Sequence, residues 1–82
     1  MTNEELVAAL GEIVHEATGI PAARVVPGVS FRDDLDIDSL SMVEIATMAE
    51  DKFGVSIPDA ELAKLKTVGD VVDFLSAAGV PA

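Results

Sequence analysis

The sequence predicts an all-α fold, a four-helix bundle of three main helices and a short third helix, with a long first loop. Two observations carry that prediction. Apolar residues recur at helical spacing in three segments and keep strand-like alternation nowhere for long. Each segment is also bracketed by residues that start and stop helices.

The first helix is expected over Asn3 to Thr18. Thr2 and Glu5 have the spacing of a capping box, and Gly19 suits the left-handed stop. Leu6, Leu10, Ile13 and Ala17 form its apolar stripe, flanked by Val7 and Val14, while Glu5, Glu12 and Glu16 lie off it. At about 100° per residue, His15 points away from that stripe and reads as a solvated surface residue.

A connection from Gly19 to Asp38 follows, where Pro21, Pro27 and Gly28 oppose regular structure. Ile20, Val25, Val26, Val29, Phe31, Leu35 and Ile37 make it too apolar for a free linker, so it should pack across the bundle with Phe31 as its anchor. A connection this long in a compact domain is often functional.

The second helix is expected over Ser39 to Phe53, capped by Asp38 or Ser39 and stopped by Gly54. Met42, Ile45, Ala46, Ala49 and Phe53 form its core face, with Val43 at the flank. Its wet face carries Leu40, Ser41, Glu44, Thr47, Met48 and Asp51, with Glu50 at the edge. Leu40 and Met48 are apolar residues set among acids, which reads either as incidental exposure or as a docking patch. A short helix is expected over Asp59 to Leu65 after Pro58. Thr67 and Asp70 open the last helix, whose Val68, Val71, Val72, Leu75 and Ala78 should face inward before Gly79 and Pro81 end it.

Composition excludes several classes of function. There is no cysteine, hence no disulfide, thiolate metal site or thiol catalysis. Fifteen acids against five bases give a net charge of −10. That opposes binding to nucleic acid, which needs a basic footprint, and to anionic membranes. It favours partners with basic patches and fast, salt-sensitive encounter. No apolar run approaches the roughly 20 residues of a membrane span, and the acidic start lacks a signal-peptide layout. A cytoplasmic monomer is expected.

Ser39 stands where the long loop turns into the second helix, inside Asp34-Leu35-Asp36-Ile37-Asp38-Ser39-Leu40-Ser41-Met42-Val43-Glu44. Read alone, it is an ordinary helix cap. Yet no base, cysteine or glycine-rich cradle is near enough in sequence to activate it, so it reads as the substrate of another enzyme rather than as a nucleophile. A nucleophile elbow would need glycine where Ile37 and Ser41 stand. An EF-hand beginning at Asp34 would need Gly and Glu where Ser39 and Ile45 stand. No catalytic residue and no metal ligand is assigned.

The Asp38-Ser39-Leu40 core, the following Val43-Glu44 pair, Ile57-Pro58-Asp59 and Lys66-Thr67-Val68-Gly69-Asp70 resemble acyl carrier proteins, closest to the discrete (type II) carriers of bacterial fatty acid synthesis. The resemblance runs from the first helix to about Leu75 and implies one acyl carrier domain over residues 1–82. It implies a protein that is not an enzyme. Ser39 would carry 4′-phosphopantetheine, taken from coenzyme A by a phosphopantetheinyl transferase that supplies the base and Mg²⁺. Asp38, Leu40, Glu44, Met48, Glu50 and Asp51 would meet basic and apolar patches on synthases, reductases, dehydratases and acyltransferases. Many relatives have an acid two residues after the serine, where this chain has Ser41. Phe31, Val43, Ala46, Ile57, Leu62, Leu65 and Val71 are candidates to line an acyl pocket, each equally readable as plain core. A peptide-synthetase carrier would show Gly-Gly before the serine's neighbour, where Asp36-Ile37 stand. A polyketide carrier and an unmodified acidic interaction module remain as alternatives.

Overall fold

The computed structural model describes residues 2–79 and is helical, with α1 over Asn3–Thr18, α2 over Ser39–Phe53, α3 over Asp59–Leu62 and α4 over Val68–Ala77. A 3-10 turn at Ala22–Arg24 interrupts the first loop. The Thr2–Glu5 and Thr67–Asp70 capping boxes both form, and Gly19 and Gly54 end α1 and α2 at φ of 80° and 67°. Asp38 rather than Ser39 caps α2. α1 packs against α2, the 3-10 turn and α4. The core they enclose is built from Leu6, Leu10, Ile13 and Val14 of α1, the predicted α2 face, and Val68, Val71, Val72 and Leu75 of α4.

The first loop is part of that core. Val25, Phe31, Leu35 and Ile37 are buried, while Val26 stays exposed. Burying a side chain such as Phe31 is worth about 1.5–3 kcal/mol; at 1 % exposure it anchors the loop. Backbone hydrogen bonds then lace the loop to the start of α4. Val68 N donates to Val29 O at 3.0 Å, Gly69 N to Pro27 O at 2.9 Å, and Phe31 N to Lys66 O at 3.0 Å. The first amides of a helix have no partner within it, so the loop carbonyls complete α4. Gly69 permits this approach, because a Cβ there would lie 3.0 Å from the Pro27 carbonyl oxygen.

Several expectations need correction. α3 is shorter than Asp59–Leu65. Pro58 offers no side-chain cap, and Lys64 N and Leu65 N fold back onto Glu61 O and Leu62 O, which tightens the chain out of the helix and buries Leu65. Ala78 is exposed rather than inward, because α4 has ended and the chain turns there, Ala78 N reaching Phe74 O at 2.9 Å. Pro81 lies outside the described residues. His15 is exposed as expected, with Nδ1 3.1 Å from the Ile20 carbonyl oxygen just past the end of α1.

Candidate functional site

α2 starts at the edge of a cleft of about 460 Å³. The end of the first loop, the first turn of α2 and the α3–α4 connection enclose it. Phe31, Met42, Leu62 and Leu65 give it an apolar floor, and Arg32, Asp33, Ser39, Val43, Asp59 and Lys66 stand at its exposed rim. The two walls are held by the loop-to-α4 bonds and by the packing of α2 on α1, so the cleft is a product of the whole fold.

Ser39 is exposed, the first residue of α2 and on the cleft wall. Asp38 positions it: Oδ1 accepts from Ser41 N at 2.8 Å, which starts the helix with the serine hydroxyl facing outward. The Ser41 backbone N–H holds the Asp38 carboxyl below the usual carboxylate range, and the nearby Arg32 charge adds to this. The Ser39 hydroxyl accepts a hydrogen bond from Arg32 Nη2. A guanidinium has donors and no acceptor, so it cannot serve as a base. Among the described residues the chain therefore offers Ser39 no proton acceptor of the kind that activates a nucleophile. The hydroxyl is presented, not activated.

Of the seven pocket candidates, Phe31, Val43, Leu62 and Leu65 line the cleft, whereas Ala46, Ile57 and Val71 are buried without reaching it. Ala46 lies one turn further along α2, where the helix has already entered the packed core. Val43 is half-exposed on the cleft wall rather than part of the core flank. Sequence reasoning missed Arg32, Lys66 and Asp59 at the rim. For Arg32 and Lys66 the only signal was the scarcity of cations in this chain, and Asp59, one of fifteen acids, had none; their meeting at one cleft depends on the loop path.

The wet face of α2 also differs from expectation. Leu40 is 80 % exposed and Val43 50 %, so the exposed apolar pair of α2 is Leu40–Val43, one turn apart, beside exposed Asp38 and Glu44, with exposed Asp51 about two turns further along the helix. Met48 is half-buried and packs against the core, because α1 lies along that side of α2. Glu50 is half-buried as well. Its Oε2 accepts from Ile57 N at 2.6 Å, which ties α2 to the chain leading into α3.

Comparison with known proteins adds the family. The model for the phosphopantetheine attachment site matches residues 8–75. The chain belongs to the acyl carrier protein family. It is 62 % identical over 74 residues to the meromycolate extension acyl carrier protein of Mycolicibacterium smegmatis, covering 90 % of this chain and 75 % of that one. It is 55 % identical over 82 residues to the acyl carrier protein of Acidothermus cellulolyticus, covering 100 % and 98 %. The acyl carrier protein of Enterococcus faecalis superposes with a TM-score of 0.76 at 35 % identity, over 95 % of this chain and 99 % of that one. The fold, the attachment domain and the relatives agree. Acyl carrier proteins hold 4′-phosphopantetheine covalently, are carriers rather than catalysts, and work with the enzymes of fatty acid synthesis. No helix among the described residues is long and apolar enough to cross a membrane.

Proposed function

We propose that residues 1–82 act as one cytoplasmic, monomeric carrier domain in dissociated (type II) fatty acid synthesis, with the prosthetic arm attached at Ser39. The observation that carries this reading is an exposed serine hydroxyl at the mouth of an apolar-floored cleft, hydrogen-bonded to Arg32 and to no base among the described residues. A phosphopantetheinyl transferase deprotonates that hydroxyl. The Ser39 oxygen bonds to the phosphorus on the pantetheine side of the coenzyme A diphosphate, the bond from that phosphorus to the bridging oxygen breaks, and adenosine 3′,5′-bisphosphate leaves. Once attached, the arm supplies the thiol that holds an acyl chain as a thioester.

The cleft suits that cargo. Its volume lies within the range of small-molecule sites, about 300–1,000 Å³, and its floor is apolar. Phe31, Met42, Leu62 and Leu65 shelter a chain that turns inward from Ser39. The Leu40–Val43 pair with Asp38, Glu44 and Asp51 forms the docking face for enzymes with basic and apolar patches. Such contacts are small and brief, as a shuttle requires. The relative named for meromycolate extension supports chain elongation as the setting.

The test is intact-protein mass spectrometry after incubation with coenzyme A, Mg²⁺ and a promiscuous phosphopantetheinyl transferase, with Ser39→Ala alongside. A gain of one arm in the wild type alone is expected. A folded wild type that gains nothing refutes the proposal and leaves an acidic interaction module. Elongation assays with purified fatty acid synthases against polyketide synthases then decide the pathway.

A further inference from the structure

Among the described residues Arg32 is the one cation whose side chain hydrogen-bonds the serine hydroxyl. Among the described residues the other bases are differently engaged. Lys52 pairs with Glu12 and Lys64 with Glu61, and Arg24 donates to the Asp34 carbonyl. Lys66 lines the same cleft but has no hydrogen bond to Ser39. Arg32 Nη2 donates to Ser39 Oγ from the loop seven residues earlier, and no ion pair holds its guanidinium elsewhere among the described residues.

Attachment at Ser39 would put a phosphodiester anion beside the Asp38 carboxylate in a chain of net charge −10. The helix N-terminus gives only partial relief, because its Ser41 N–H is already taken by Asp38 Oδ1. The new anion therefore needs a cation within reach, and a guanidinium suits it, having several donors in a planar fork that matches phosphate oxygens.

We infer that Arg32 is the counter-charge of the phosphodiester, exchanging its bond to the Ser39 hydroxyl for bonds to the phosphate oxygens and so setting where the arm leaves the protein. Arg32 is a positioning residue in this account. It anchors the root of the arm at the rim of the cleft, on the side of Phe31 and Lys66. The inference rests on Ser39 being the attachment point.

The experiment compares wild type, Arg32→Gln and Lys66→Gln, each before and after loading, with loading verified by intact mass. The readouts are the ³¹P resonance of the phosphodiester and the change in melting temperature caused by loading. Arg32 is exposed, so its variants should fold. In the wild type, loading is expected to leave the melting temperature level or raised. In Arg32→Gln it is expected to lower it relative to wild type by roughly 2–4 °C, as for loss of an exposed ion pair in a small domain. The ³¹P resonance should shift in the same variant, and both differences should fade near 1 M salt. Lys66→Gln, with the same charge change on the same cleft, should behave like wild type. Equal responses in wild type and Arg32→Gln overturn the inference while leaving attachment intact, as do equal losses in Arg32→Gln and Lys66→Gln. If Arg32→Gln resists loading, the loaded wild type decides: a ³¹P resonance and a loading-induced change in melting temperature that both stay the same between low salt and about 1 M salt overturn the inference. A wild type that accepts no arm refutes the attachment reading and this inference together.

Discussion

Replacing Glu50 by alanine separates two accounts of the second helix. If Glu50 only meets partners, its loss leaves the isolated protein as stable as before, since surface changes usually stay within about 0.5 kcal/mol. The structure gives it another task. Glu50 Oε2 accepts from Ile57 N at 2.6 Å, and Ile57 is only 7 % exposed. Hydrogen bonds to a charged group contribute about 1.5–3 kcal/mol, and a buried donor left alone costs about 1–3 kcal/mol. Partial access of water and the better helix propensity of alanine reduce the loss by some tenths. A net destabilisation of about 1–2 kcal/mol follows. That is a sizeable part of the roughly 4–12 kcal/mol expected for a chain of this size. The melting temperature should fall by about 5–15 °C. Glu50→Gln keeps an acceptor oxygen and should lose no more than about half as much. Asp51→Ala, the neighbouring exposed acid, should cost nothing, because a carboxylate near the C-terminus of a helix opposes its dipole. Thermal melting with amide exchange at Ile57 is the assay. An alanine variant that melts within about 2 °C of wild type, with Ile57 protection unchanged, refutes the reasoning. The consequence reaches the site, since the segment after Ile57 carries Asp59, Leu62, Ala63 and Leu65 to the far side of the cleft.

Three further outcomes are expected. Moderate salt or Mg²⁺ should raise the melting temperature near neutral pH, because fifteen acids face five bases and only two ion pairs form among the described residues; a melting point indifferent to ionic strength would contradict this. Acid should destabilise the fold. Backbone N–H groups of Thr2, of Ser41, and of Thr67 and then Lys66 lower the folded-state pKa of Glu5, Asp38 and Asp70 respectively, so their contribution is present above the unfolded-state values near 4 and is lost as pH falls through the folded ones. A melting temperature that stays level from pH 5 to 2.5 would count against these caps, and Asp70→Asn should flatten part of the decline. Finally, Leu40→Asp should leave melting and loading mass unchanged while lowering kcat/KM of a partner synthase about tenfold or more, the effect of roughly 1.4 kcal/mol at a docking contact; unaltered kcat/KM removes Leu40 from the docking face.

Helix existence was legible in the chain, and so was most of the core. The reason is local. Thr2 and Glu5, Thr67 and Asp70, Gly19 and Gly54 act on neighbours a few residues away, and the apolar stripes of α1, α2 and α4 repeat at the helical period. The place of Ser39 at the start of α2 was equally legible, because Asp38 beside it caps that helix. The end of α3 was not: a four-residue helix without a side-chain cap has too little local signal, and tertiary hydrogen bonding sets where it stops.

The site's finer assignments depended on which surfaces meet. Met48 and Glu50 sit at wet positions on a helical projection, yet α1 covers one and the chain before α3 engages the other. Val43 projects to the core flank, yet it stands half-exposed on the cleft wall. Arg32 has no helical register at all; it reaches Ser39 because Phe31 is pinned in the core and Pro27 and Val29 are tied to α4. The sequence by itself determined the helices, their caps, the acidic field and the serine at the start of α2, all through interactions between near neighbours. Only the tertiary structure decided the cleft, the exposed Leu40–Val43 pair and the arginine at the serine, because each arises where segments distant in the chain are packed against one another.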